Sequence, residues 1–198
     1  MSVSKVQICN LALSELGSGR VNDIETDTSE KAVLCRLYYE PVVEEVLRSH
    51  EWNCALWYQS LAEVADTDDD YMLVDYEEYS YQFQLPTAPR CLRVLKIPAY
   101  PGAKYEVVSG HLLTNLSTAV IKYIRVLEDT TKFDPLLVRA IAYRLAADMA
   151  PRITNATKTR TEMLAIYNMQ LTRAIGIDAR ESEEPQIEEY AIRDAKDS

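Results

Sequence analysis

Glycine and histidine are scarce in this sequence. Five glycines in 198 residues leave no glycine-rich loop that could cradle a phosphate group. The two histidines, His50 and His111, stand alone, so neither a histidine-activated nucleophile nor a zinc site is expected. The cysteines are far apart and form no CxxC pair, which predicts reduced, buried thiols. They are Cys9, Cys35, Cys54 and Cys91.

Long apolar runs and an excess of positive charge are also missing. No run approaches the ~18 apolar residues that a membrane helix needs. The first ten residues lack the charged segment followed by an apolar segment that is typical of a signal peptide. We therefore expect synthesis in the cytoplasm and no membrane partner. Lys and Arg total 21 against 31 Asp and Glu, which gives a net charge of −10. Such a chain is poorly suited to binding nucleic acid, but it could line a channel through which DNA slides.

Helical periodicity marks the N-terminal quarter of the chain. Residues 3–16 carry apolar side chains at helical spacing, which predicts a first helix. Gly17 follows, and because glycine can adopt a positive φ, it is expected to end this helix. Asp27 and Glu30 have capping-box spacing, which predicts a second helix from there to about His50. Pro41 lies inside this helix, so a kink or a break is expected there.

Helical periodicity returns in the last third. Asp134 as the cap, with Pro135 at the first helical position, predicts the start of a helix. The apolar face of this helix is interrupted near Pro151, which predicts that the helix breaks there. A further helix is predicted from about Thr157 to Ala179.

Between Trp57 and Val126 the sequence has the features of β structure. Alternating side chains, β-branched runs and Pro or Gly punctuation predict four to six strands in a small antiparallel sheet or sandwich. Trp52 and Trp57 are expected to fill the joint between helix and strands. The predicted strands are residues 79–85, 91–97, 104–108, 112–114 and 119–126.

The order of these elements predicts an α+β fold in which helices from both ends of the chain form a bundle and an antiparallel sheet or sandwich is inserted between them. We place the helical bundle in residues 1–56 and 133–180 and the inserted β domain in residues 57–132. Residues 181–198 carry seven acidic side chains and few apolar ones, so a flexible acidic tail is predicted.

An acidic loop provides one weak candidate for a metal site. With Asp66 as position 1, Asp68, Asp70 and Glu77 fall at positions 3, 5 and 12 of a calcium-binding loop. Position 6 needs glycine for its sharp turn, and Tyr71 stands there. A solvated loop or a partner-facing edge is the favoured interpretation, and we predict no metal, no cofactor and no catalytic residue.

The acidic tail provides a candidate binding segment. Ile187, Tyr190 and Ile192 are apolar anchors among charges, and such a segment can become ordered on a partner. The alternative is that it only keeps the protein soluble.

The chain carries a series of short motifs: Ile8–Gly17, Ile24, Asp27–Tyr39, Leu47–Ala55, Tyr81–Pro86, Cys91–Val94, Tyr105–Thr114, Ile121–Arg125, Phe133–Leu136 and Arg144–Ala147. In this order and spacing they resemble the head-to-tail adaptor (connector) family of tailed phages, most closely the tail tubular protein A subunits of short-tailed phages. The resemblance covers roughly residues 3–180. The loop Pro86–Arg90 departs from the Pro-x-Asp that the family usually has before its Cys-Leu-Arg element.

This resemblance implies a structural virion protein that is made in the host cytoplasm and resides in the neck of the particle. Twelve copies would form a ring beneath the portal protein, extend the DNA channel and offer a platform to the tail nozzle protein. Ile187, Tyr190 and Ile192 would then be portal-binding residues. One alternative is an adaptor that also hydrolyses cell-wall polysaccharide with two carboxyl groups. Another is a cytosolic helical scaffold unrelated to phages.

Overall fold

The computed structural model describes residues 3–65 and 78–181, and its architecture is α+β. In this part of the chain, helices at both ends flank a block of strands, as the sequence predicts. The helices are α1 (Lys5–Glu15), α2 (Glu30–Ser49), α3 (Pro135–Ile153) and α4 (Thr157–Glu181). The strands are β1 (Leu56–Ser60), β2 (Ala62–Glu63), β3 (Tyr81–Gln84), β4 (Cys91–Lys96), β5 (Tyr105–Val108), β6 (His111–Thr114) and β7 (Val120–Arg125).

The helical core is built around α3. Ten of its nineteen residues are buried, so this helix is apolar around much of its circumference and needs neighbours on more than one side. Helices α1, α2 and α4 all pack on it. At its start, the Asp134 carboxylate accepts a hydrogen bond from the Leu136 N–H at 2.7 Å, and Pro135 follows the cap. The predicted start of α3 is therefore confirmed.

The strands form two antiparallel sheets. The three-stranded sheet has the order β1-β7-β4, and the four-stranded sheet has the order β2-β3-β6-β5. The predicted hairpin consists of β5 and β6, with Gly110 at positive φ in its turn. Apolar side chains of both sheets share one core cluster, among them Phe83, Leu112 and Tyr123.

Strand β7 joins the two cores of the molecule. Ile121 and Tyr123 lie in the core between the sheets, whereas Ile124 lies in the helical core. Because successive side chains of a strand point to opposite faces, the three-stranded sheet lies between the helices and the four-stranded sheet. The register of this sheet therefore decides which side chains face the helices.

The beginning of α2 differs from the prediction. Ser29 occupies the N-cap position, with φ −62° and ψ 150°. The Asp27 carboxylate instead accepts a hydrogen bond from the Ser29 N–H at 2.7 Å and closes a turn before the helix. The predicted capping box of Asp27 and Glu30 is wrong because the carboxylate reaches the N–H two residues on.

Of the two helix interruptions predicted at prolines, no break occurs at Pro41, whereas the one near Pro151 is confirmed. Helix α2 runs without a break through Pro41. Pro41 removes the donor for the Leu37 carbonyl, but both residues are exposed, so water can satisfy that carbonyl. Pro151 lies in the last turn of α3, which ends two residues later at Ile153.

The two tryptophans have different surroundings. Trp52 is buried in the helical core, and its indole N–H donates to the Val46 carbonyl at 2.8 Å. Trp57 is 44% exposed, and the Arg125 guanidinium lies 4.2 Å from its ring centroid. The prediction that both fill the joint between helix and strands is therefore wrong for Trp57.

Candidate functional surfaces

The candidate binding residues of the sequence fall outside the described residues. The possible metal ligands are Asp66, Asp68, Asp70 and Glu77, and the residues expected to bind a portal are Ile187, Tyr190 and Ile192. Within residues 3–65 and 78–181, no cluster of three or more His, Cys, Asp or Glu side chains is placed to hold a metal ion. The helices in the same two ranges are too short or too polar to span a membrane.

A groove separates α2 from the loops that flank β4 and β7. It has a volume of about 500 Å³. Tyr39 and Val43 contribute apolar surface, and an ion pair between Arg90 and Glu44 crosses it. Lys5 lies 5.1 Å from the Tyr39 ring centroid and pairs with Glu40 at 3.4 Å. The groove therefore combines an apolar floor with charged side chains of both signs.

Two exposed apolar patches lie on the helices. On α2, Val33 and Leu37 are four residues apart and therefore share a face; Leu37 is 58% exposed. On α4, Met169 is 61% exposed, and Ile177 lies two turns further along the helix. The periodicity of the sequence predicts that these residues lie on helices, but it does not show that they are exposed.

The end of α4 is anchored to the segment that follows α2. The buried Asp178 carboxylate lies 3.2 Å from His50 Nε2 and accepts a hydrogen bond from the Asn53 N–H at 3.2 Å. The Asn53 side-chain amide donates to the Asp178 carbonyl at 2.9 Å. No local pattern predicts this contact, because 125 residues separate Asn53 from Asp178.

Hydrogen bonding lowers the pKa of three carboxyl groups at or near the surface. The Thr26 hydroxyl lowers the pKa of Asp23, the Ser29 N–H lowers the pKa of Asp27, and the Thr131 hydroxyl lowers the pKa of Asp129. A general acid for glycoside hydrolysis needs a raised pKa. These three groups therefore give the hydrolase alternative no support.

All four thiols are free and at least half-buried. Burial raises the pKa of Cys54 to about 11 and the pKa of Cys91 to about 11. A hydrogen bond with Cys35, together with burial, raises the pKa of Cys9. Because the thiolate is the reactive form, these three cysteines are poor nucleophiles near neutral pH.

The sequence matches no protein-family model and no curated protein.

Proposed function

We propose that the protein is the subunit of a head-to-tail adaptor, which forms a ring between the portal and the tail nozzle and surrounds the DNA channel of a virion. The observation that carries the proposal is the fold: the helices on both sides of the strand block build one helical bundle, and a β sandwich is inserted between them. That arrangement accommodates the motifs that resemble the adaptor family in the order in which they occur.

A closed ring needs two different surface patches on each subunit, because its contacts are head to tail. The exposed apolar residues of α2 and α4 supply two such patches on two helices that both pack on α3. We propose that the α2 patch (Val33 and Leu37) of one subunit meets the α4 patch (Met169 and Ile177) of the next.

The charge of the chain supports a role around DNA. A subunit with a net charge of −10 repels phosphates, so DNA can slide through a ring of such subunits without sticking. Because of the same charge, isolated subunits repel one another. We therefore expect them to assemble only on a partner. We propose the portal protein as that partner, with Ile187, Tyr190 and Ile192 as the residues that bind it.

Sedimentation tests this proposal. The isolated protein should sediment as a monomer or a weakly associated species. Mixed with the portal protein encoded by the same genome, it should co-sediment in a fixed ratio to portal subunits, near one to one. A stable ring without the portal would contradict portal-dependent assembly, and absence of co-sedimentation would contradict the adaptor assignment.

A further inference from the structure

The three-stranded sheet is basic in an otherwise acidic protein. Strands β1, β4 and β7 carry basic side chains at Arg93, Lys96, Lys122 and Arg125 and no acidic side chain. The register places Lys96 opposite Lys122 and Arg93 opposite Ile124. Because paired residues share a face, Arg93, Lys96 and Lys122 lie together on the face that also contributes Ile124 to the helical core.

These cations have little counter-charge nearby. Like charges directly opposite each other destabilise a sheet. Lys122 pairs with the half-exposed Glu51 at 3.5 Å. Among the described residues, Arg93 and Lys96 form no ion pair, and Arg93 Nε is a buried donor without a hydrogen-bond partner. The face therefore favours a ligand that brings carboxylates.

The same face also exposes apolar side chains. Tyr58 lies opposite Lys122 and is 57% exposed, and Val120 lies two residues before Lys122 and is 43% exposed. We name Arg93, Lys96, Lys122, Tyr58 and Val120 the basic face. A ligand that fits it combines acidic groups with a few apolar or aromatic side chains.

Helix α4 ends beside the basic face. A cavity of about 360 Å³ is lined by Arg93 and Lys122 of the sheet and by Ala179 of α4. The contact of Asp178 with His50 holds the helix there, and α4 ends two residues after Ala179. The chain beyond α4 therefore starts next to the basic face.

We propose that residues 182–198 of the same chain dock on the basic face in the isolated protein. This segment carries six acidic and two basic side chains, and Ile187, Tyr190 and Ile192 lie between the charges. Its carboxylates pair with Arg93, Lys96 and Lys122, and its apolar side chains cover Tyr58 and Val120. Extended, its 17 residues span about 55–60 Å, whereas a six-residue strand is about 20 Å long.

Docking within one chain is favoured over docking between two chains. The segment is attached beside the face, so its effective concentration there is in the millimolar range for a short flexible linker. Two separate chains must also overcome the repulsion between two acidic molecules. If the proposed function holds, docking keeps Ile187, Tyr190 and Ile192 covered until the portal competes for them.

Carbodiimide cross-linking of the full-length protein tests the proposal, because it joins lysine amines to carboxylates that are in direct contact. A mixture of ¹⁴N- and ¹⁵N-labelled chains shows whether each cross-link is within one chain. We expect cross-links from Lys96 and Lys122 to acidic residues 183–189, all within one chain and lost in about 0.5 M NaCl, where the Debye length is about 4 Å.

Two results of this experiment would overturn the proposal. One is cross-linking of the segment to lysines spread over the whole surface, and the other is cross-linking between differently labelled chains. The experiment needs neither portal nor ring, so its failure leaves the adaptor proposal standing, and failure of the adaptor proposal leaves this one standing.

A pair of variants provides a second readout. Lys96→Gln with Lys122→Gln should speed amide hydrogen exchange in residues 187–192 at least about fivefold, because docked amides become free. The matched control is Lys132→Gln with Lys158→Gln, two exposed lysines outside the basic face, and it should leave exchange unchanged. If the double variant unfolds, exchange is measured in the single variant Lys96→Gln instead, because Lys96 is exposed. Unchanged exchange in residues 187–192 would refute docking.

Discussion

His50 Nε2 lies 3.2 Å from Oδ2 of Asp178, and this contact joins the end of α2 to the last turns of α4. The Asp178 carboxylate is buried and also accepts the Asn53 N–H. Removing this buried acceptor takes a hydrogen-bond partner from both the backbone donor and the histidine. The contact therefore fixes where the acidic tail leaves the body of the protein.

The first prediction concerns this contact. Asp178→Ala should lower the free energy of unfolding by about 1–3 kcal/mol, because the Asn53 N–H and the imidazole lose a buried acceptor. Urea denaturation followed by circular dichroism measures the change. Glu162→Ala on the same helix is the control, since its exposed pair with Lys158 is worth under about 0.5 kcal/mol. Equal stability of the two variants would show that the anchor contributes nothing.

The second prediction concerns the thiols. With a pKa of about 11, Cys54 and Cys91 should react with a disulfide reagent at pH 8 roughly 200-fold more slowly than an ordinary exposed cysteine. The rate should rise about tenfold per pH unit until the pH approaches the pKa. Urea should make all four thiols react quickly. Rapid reaction of native Cys54 at pH 7 would contradict its burial.

Much of the fold follows from local signals in the sequence. Gly17 has a φ of 66° just after α1, and Asp134 caps α3, because positive φ and side-chain caps depend on residues close in sequence. Strand pairing depends on distant residues. No local pattern places Lys96 opposite Lys122, and for that reason the basic face was missed.

The exposure of single residues was the least predictable feature. Trp57 looks like a core residue by type, yet it lies over Arg125 at the edge strand β1 of its sheet. The break expected at Pro41 did not occur because that turn of α2 faces solvent, which can satisfy the freed carbonyl. Both outcomes depend on which face the tertiary structure covers.

The third prediction concerns the proposed ring contacts. Leu37→Asp and Met169→Asp should each weaken assembly on the portal at least about tenfold, because each buries a charge in the proposed interface. Binding is measured by co-sedimentation at several protein concentrations. Asn168→Asp adds the same charge one residue away on α4 and should change assembly little. Normal assembly of both patch variants would place the ring contacts elsewhere.

The fourth prediction concerns the acidic tail. Truncation after Glu181 should change the free energy of unfolding of the remaining chain by less than about 1 kcal/mol, because α4 and its anchor at Asp178 are retained. It should weaken portal binding about tenfold or more by removing Ile187, Tyr190 and Ile192. A pull-down on immobilised portal measures the binding. Undiminished binding would assign the portal contact to another surface.

Electron microscopy of the protein mixed with its portal tests the adaptor proposal most directly. The account predicts closed rings of this protein stacked coaxially on one end of the portal, twelve subunits to a ring, with an open central channel. Particles that show the portal alone, while this protein stays monomeric in the same mixture, would contradict it.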